Sequence, residues 1–195
     1  MFHLARPGAD AIQAFLQAQA TLELSYGPLQ ITRSPDRPPA GFQLDRSRIR
    51  LGSGEKVFAT VCSALRHWEQ FRLGWVEPFP GNTPLESGQC VAVVAHALGL
   101  WVVCSCRIVY TIDEPRRFGF AYGTLPGHVE RGEELFLIER DENDDVWYEI
   151  VALSRPNHWL AWLGYPYTRW LQARFRRDSS QVMQRAVLSV DQPPK

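Results

Sequence analysis

The stretch FGFAYGTLPGHVERGEELFLIER, from Phe118 to Arg140, carries two strand-like pieces around a glycine-rich, proline-broken centre. Arg117–Thr124 and Glu133–Arg140 have the length of strands, and the short link between them predicts an antiparallel pair. Gly123 and Gly127 are expected to supply positive backbone angles there, and Pro126 to stiffen the bend. Such a link presents its polar side chains in a fixed orientation at one end of a sheet. It concentrates His128, Glu130, Arg131, Glu133 and Glu134. The cluster reads as an acid–base site, as a set of ligand contacts, or as a solvated connection whose charges pair locally.

The same texture extends outward. Cys90–Leu98, Leu100–Ile112 and Val146–Ser154 are also strand-like, and short links between the five strands predict an antiparallel meander. The run from Ser87 to Cys106 has no formal charge over about the length of a membrane-spanning helix. Its valines, Gln89, His96 and the break at Gly99 fit two strands and a turn instead. DENDD, Asp141–Asp145, lacks the glycine and terminal glutamate of a calcium loop and reads as a hairpin turn. Upstream, Phe42–Leu51 reads as a strand. Ser53 is the expected N-cap of a helix whose stripe is Val57, Val61, Leu65 and Trp68. The Gly-Ser-Gly before that helix lacks the lysine of a phosphate-binding loop and reads as a tight turn.

Downstream, Pro156 suits the first turn of a long C-terminal helix with a stripe of Leu160, Leu163, Tyr167, Leu171 and Phe175, kinked by Gly164 and Pro166 near Tyr165. A twisted sheet curls, and the simplest cover for its concave face is that last helix. The expected fold is therefore α+β of helix-grip type, a curved antiparallel β-sheet wrapped around a C-terminal helix. Residues 1–40 form an N-terminal extension, with an amphipathic helix over Ala9–Leu24 and a proline-rich linker. Residues 41–187 form the domain, and residues 188–195 a flexible tail.

Composition narrows the function. With 195 residues, 45% of them apolar, and seven Trp and ten Phe, one well-buried domain is expected. Lys and Arg number 21 against 21 Asp and Glu, so no global field recruits nucleic acid or an acidic membrane. Cys62, Cys90, Cys104 and Cys106 have neither zinc-knuckle nor redox spacing and read as reduced thiols of a cytoplasmic protein. No metal and no cofactor are expected. The opening MFHLARPGAD has no charged-then-apolar leader pattern.

Three strings, YGTLPGHVERGEELF, VWYEIVALSRPNHWLAWLGYP and TRWLQARFRRDS, resemble the bacterial and plant family catalogued as domain of unknown function 1990. The likeness covers about Gly41 to Met183. That family is similar in turn to the START and birch-pollen-allergen helix-grip proteins, which implies the fold derived above. It also implies a class whose members bind lipids, hormones or polyketides, with a few enzymes among them.

The expected function is binding of a small apolar or amphipathic molecule between the sheet and the C-terminal helix. His96, Tyr110, Tyr122, His128, Tyr148 and Ser154 are the candidate contacts, because buried strand hydroxyls and imidazoles need partners. His96 alternatively reads as a satisfied core histidine, and Glu149, if inside, would need a partner such as Arg107. The enzyme alternative uses His128 with Glu130 or Glu133 as acid and base. A third reading is a membrane- or protein-interaction domain using the basic side of the last helix, Arg169, Arg174, Arg176 and Arg177.

Overall fold

The computed structural model describes residues 2–157 and 165–188. Its elements are β1 (Phe2–His3), α1 (Ala9–Ala20), β2 (Gln43–Ser53), α2 (Glu55–Arg66), β3 (Val76–Phe79), β4 (Cys90–Ala97), β5 (Leu100–Glu114), β6 (Arg117–Thr124), β7 (Glu130–Arg140), β8 (Asp145–Pro156) and α3 (Tyr165–Leu188). One antiparallel sheet runs in the order β2-β8-β7-β6-β5-β4-β3, and the two-residue β1 pairs with β5. The five central strands form the expected meander. The Leu98–Gly99 turn joins β4 to β5, and the acidic run Asp141–Asp145 turns β7 into β8, with Asp141 Oδ1 accepting from the backbone N–H groups of Asn143 and Asp145.

The concave face carries the main core. Phe118, Phe120, Phe136, Ile138, Tyr148 and Ile150 pack there against Phe58, Val61, Leu65 and Trp68 from the α2 region and Met183 and Val187 from α3. This is the helix-grip arrangement. The convex face is covered too. Ile12 and Leu16 of α1 bury Ala92, Val94 and Val103, while Tyr26 and Ile31 cover Leu153. The N-terminal segment is thus a strap over the back of the sheet, and Arg107 fastens the end of α1 by donating to the carbonyls of Ala20 and Leu22 at 2.7 and 2.8 Å.

Several local expectations are corrected. Ser53 ends β2, and Gly54 precedes α2 without a side-chain cap. Pro156 ends β8 rather than opening a helix. Leu160, Leu163 and Gly164 lie outside the described residues. The inward side of α3 is Arg169, Gln172, Phe175, Arg176, Ser179, Met183 and Val187, of which the expected stripe contained only Phe175. Gly123 and Gly127 are absent from the positive-φ residues. Their role is close approach: a Cβ on Gly123 would collide with the Tyr26 hydroxyl, and one on Gly127 would sit 2.5 Å from the Phe15 ring. Both glycines make room for the strap.

Candidate functional site

Strand register lays the concave face out in rows. Ile49, Tyr148, Ile138 and Phe118 form one row across β2, β8, β7 and β6, and Ser47, Ile150, Phe136 and Phe120 the next. The following row changes character: Asp45, Ala152, Glu134 and Tyr122. Beyond it Ser154 stands opposite both Gln43 and Gly132. The sheet therefore passes from an aromatic wall to a polar end. Along α3 the inward side changes in the same sense, from Met183 and Val187 to Arg176, Gln172 and Arg169. Polar rows meet the polar turns of the helix, and apolar rows the apolar turns.

At the polar end Asp45, 7% exposed, receives Arg169 through both terminal nitrogens, one at 2.6 Å, and Arg176 at 3.3 Å. Gln172 Nε2 donates to both carboxylate oxygens of Glu130 at 2.7 and 2.8 Å and reaches Ser154 Oγ at 3.5 Å. Tyr122 donates to Glu134 at 2.6 Å. Burial pushes the Glu134 carboxyl up to about 7, against the opposing pull of Tyr122 and Arg176. Glu130 is raised as well, again by burial, with His128 and Gln172 pulling the other way. At neutral pH Glu134 is thus poised both to donate and to accept a hydrogen bond.

His128 is held by backbone. Its Nδ1 lies 2.9 Å from the amide nitrogen and 3.1 Å from the carbonyl oxygen of Glu130, so it accepts when neutral and has an acceptor when charged. The other side of the ring meets the thiols of Cys104 and Cys106. This neighbourhood exists because the turn after β6 folds back beside β5, with Leu125 N–H donating to Ser105 O at 3.0 Å and His128 N–H to Leu125 O at 2.9 Å. Asn157 fixes the turn from the end of β8 by donating to His128 O at 2.9 Å, and Arg131 holds the Asn157 side chain in turn. A cleft of about 610 Å³ lies at the end of β2 and β8, bordered by Phe42, Gln43, Arg131, Ser154, Arg155 and Asn157; of Tyr122, His128, Glu130, Glu134 and Ser154 only Ser154 lines it.

The structure brings Tyr122, His128, Glu130 and Ser154 into one cluster. Tyr148 is on the same face but deeper in the apolar rows, with its hydroxyl 2.9 Å from Ser179 Oγ. The other three candidates stand elsewhere. Glu133 and Tyr110 face the strap on the convex side. There Glu133 accepts from Tyr26 Oη at 2.5 Å, from the amides of Gln30 and Thr32 at 2.9 and 3.0 Å, and from the Thr32 hydroxyl, while Tyr110 pairs with Thr32 at 2.8 Å. His96 is exposed and stacks on Trp101 at 4.6 Å, so it is not a core histidine. Glu149 finds Arg46 as its partner, not Arg107. The basic side of the last helix is split: Arg169 and Arg176 turn inward to Asp45, and Arg174 lies over Trp75 and pairs with Asp178.

Sequence reasoning passed over Asp45, Gln172, Cys104 and Cys106 as site residues, and named Glu134 in the cluster without giving it a role of its own. Strand phase was available for Glu134, which alternates with Phe136 and Ile138, as Tyr122 does with Phe118 and Phe120. Nothing in the spacing shows that a turn places His128 beside Cys104. Among the described residues no group of His, Cys, Asp and Glu has the arrangement of a metal site, and no helix is long and apolar enough to cross a membrane.

A curved sheet gripping a C-terminal helix, with ionisable groups gathered at one end of the grip, defines a helix-grip protein. The profile of the domain of unknown function DUF1990 matches residues 25–182, and the chain belongs to that family. The match starts ahead of Gly41 and takes in Tyr26, Gln30 and Thr32, the residues that grasp Glu133. The chain is 33% identical over 207 residues to a UPF0548 protein of Dictyostelium discoideum, with 96% of each covered. It is 38% identical over 150 residues to a UPF0548 protein of Arabidopsis thaliana, covering 73% of this chain and 72% of that one. Among solved structures, TTHA0849 from Thermus thermophilus superposes with a TM-score of 0.53 at 14% identity, covering 77% of this chain and 100% of that one, a likeness of fold alone.

Proposed function

We propose that the protein binds a small amphipathic molecule at the polar end of the grip. The apolar body lies toward the Phe136–Tyr122 wall, and a carbonyl or hydroxyl head sits among Glu134, Tyr122, His128 and Gln172. The carrying observation is the abrupt change from aromatic to ionisable rows on one concave face, matched turn for turn by α3. Burying carboxyls beside a core is costly, and pockets that pair an apolar wall with a few convergent polar groups are the usual setting in which that cost is met. Gln70 adds to the case. It is fully buried on the Glu69–Phe71 turn next to α3, and its amide nitrogen and oxygen have no hydrogen-bond partner among the described residues. The head group is read as a neutral one because Asp45 engages both Arg169 and Arg176 in ion pairs, and the polar groups of Tyr122 and Gln172 are uncharged.

An NMR titration of the labelled full chain with medium-chain ketones, alcohols and ammonium amphiphiles tests this reading. Saturable shifts are expected at Tyr122, His128, Glu134, Ser154 and Gln172 for the ketones and alcohols. Shifts scattered over exposed residues, or on the convex face, would count against it. The acid–base alternative loses Glu133 to the convex face and keeps His128 with Glu130. The surface-binding alternative loses the continuous basic side on which it depended.

A further inference from the structure

The convex face carries a second concentration of charge, at one end of β7 and β8. In the β7–β8 register Arg131 stands directly opposite Arg155, the next same-face pair after Glu133 and Leu153. Like charges in that relation cost stability unless something offsets them. The arginines of the adjoining strand β2 are all paired: Arg46 with Glu149, Arg48 with Glu139 and Arg50 with Asp145. Arg131 and Arg155 have no carboxylate partner among the described residues, and residues 158–164 contain no Asp or Glu. We propose that Arg131 and Arg155 form a binding site for the phosphate group of a small phosphomonoester. This site is separate from the neutral-head site on the concave face and does not depend on it.

Each guanidinium is held at one place and leaves its terminal nitrogens unused. Arg131 Nε donates to Asn157 Oδ1, and Asn157 is itself fixed by donating to His128 O at 2.9 Å. Arg155 lies over the Phe42 ring, with its Cζ 4.9 Å from the centroid. Phe42 is put there by the turn that returns the strap to β2. In that turn Gly41 adopts a φ of +81°, and Phe42 N–H donates to Pro39 O at 3.0 Å. The Tyr26 ring braces Phe42 edge-on, with the centroids 6.5 Å apart. The terminal nitrogens of both arginines make no hydrogen bond among the described residues. Both arginines border the cleft of about 610 Å³. Its other polar residues are Gln43, Ser154 and Asn157, with no Asp or Glu among the described residues that line it.

That chemistry selects the guest. A guanidinium presents parallel N–H donors in one plane, a fork that matches the oxygens of an oxyanion. Two forks with no counter-charge fit an anion of charge near two. A phosphomonoester brings about that charge near neutral pH, with three acceptor oxygens to divide between the forks. A carboxylate brings one charge and two oxygens. The chain builds in a carboxylate, Asp45, where it joins Arg169 to Arg176, and builds in none here. A single exposed arginine needs only water. A half-buried pair set opposite one another in a cleft is different, because each charge raises the cost of the other. The volume of the cleft lies in the ordinary range for small-molecule sites.

The test is an NMR titration of the labelled full chain near neutral pH with phenyl phosphate, inorganic phosphate and benzoate. It is read at the backbone amides and Nε–H groups of Arg131 and Arg155. Phenyl phosphate is expected to shift these signals saturably and to bind about tenfold more tightly than benzoate. Arg131→Gln and Arg155→Gln, checked for an unchanged melting temperature, should each weaken it about tenfold. Arg185→Gln, an exposed position near the end of α3, should leave it unchanged. No saturable shift at either arginine in the unaltered chain would overturn the proposal, whatever the variants do. Equal binding of benzoate would overturn the preference for phosphate, and equal binding of inorganic phosphate the preference for an ester. A loss in Arg185→Gln as large as in Arg155→Gln would reduce the effect to surface charge and overturn the site. Shifts at Tyr122 and Glu134 in place of the arginines would put the ligand on the concave face and overturn it too.

Discussion

Glu133→Ala is expected to destabilise the protein by about 4 kcal/mol, since it strands several buried donors at once. Glu133 is 2% exposed and its carboxylate gathers the Tyr26 hydroxyl, the Thr32 hydroxyl and the amides of Gln30 and Thr32. These donors all belong to the strap. Removing the acceptor leaves four polar hydrogens facing an apolar hole where the strap meets β7. Burial and the nearby Glu133 charge both raise the Tyr26 hydroxyl, so it remains a donor and has no way to compensate. The loss should appear as a fall in the urea midpoint and as faster proteolysis between residues 24 and 40. A variant with unchanged midpoint and an uncut strap would mean that the convex face is held by apolar contact alone. Tyr26→Phe, which removes one donor and keeps the ring over Gly123, should cost only about 1–2 kcal/mol.

The next residue behaves in the opposite way. Glu134 lies on the concave face beside Tyr122, and burial pushes its carboxyl up to about 7. A group raised on folding stabilises the fold fully below its unfolded value near 4.5, and loses that contribution as pH rises through the folded value. Between about pH 5 and pH 8.5 the unaltered chain should therefore lose up to about 3 kcal/mol relative to Glu134→Gln, whose amide oxygen still accepts from Tyr122. The difference between the two chains is the quantity to measure, by urea unfolding at each pH, because other ionisable groups contribute to both. Parallel pH profiles would show that Glu134 is charged and solvated in the folded protein. A neutral or half-ionised carboxyl at that place is what the proposed head-group recognition requires.

These adjacent glutamates also show where the sequence stops being informative. The meander, its turns, α2 and the presence of a C-terminal helix all follow from periodicity and punctuation in the chain. The short β3 escapes because Pro78 interrupts its four residues and Pro80 follows at once, and β1 because two residues have no period. Facing is harder. Alternation identifies the inside of a sheet only when one side is wet, and here the strap dries the convex side. β7 consequently shows apolar residues in both phases: Leu135 and Leu137 behind, Phe136 and Ile138 in front. Glu133 and Glu134 then look equivalent. Only the tertiary course of residues 24–33 separates a latch from a groove residue.

The polar site was legible in part for a similar reason. His128 and Glu130 stand out because they sit in a bend broken by proline and glycine, and Tyr122 because of its strand. Arg169, Gln172 and Arg176 belong to a helix whose amphipathicity is inverted at this end: its buried side is charged where it meets Asp45. A hydropathy stripe points to the wrong side of such a helix, as it did with Leu171 and Tyr167. Cys104 was visible as a strand residue, but its imidazole partner comes from a different segment, brought close by the turn beside β5.

Native mass spectrometry of the full chain, purified without detergent and sprayed from volatile buffer near neutral pH, puts the central claim to the most direct test. The account predicts a stoichiometric small-molecule adduct, retained or reloaded on mixing with a medium-chain ketone or alcohol and weakened in Glu134→Leu, which keeps the bulk but removes the hydrogen-bonding head. A chain that flies only at its bare mass, and stays bare after such mixing, would contradict it.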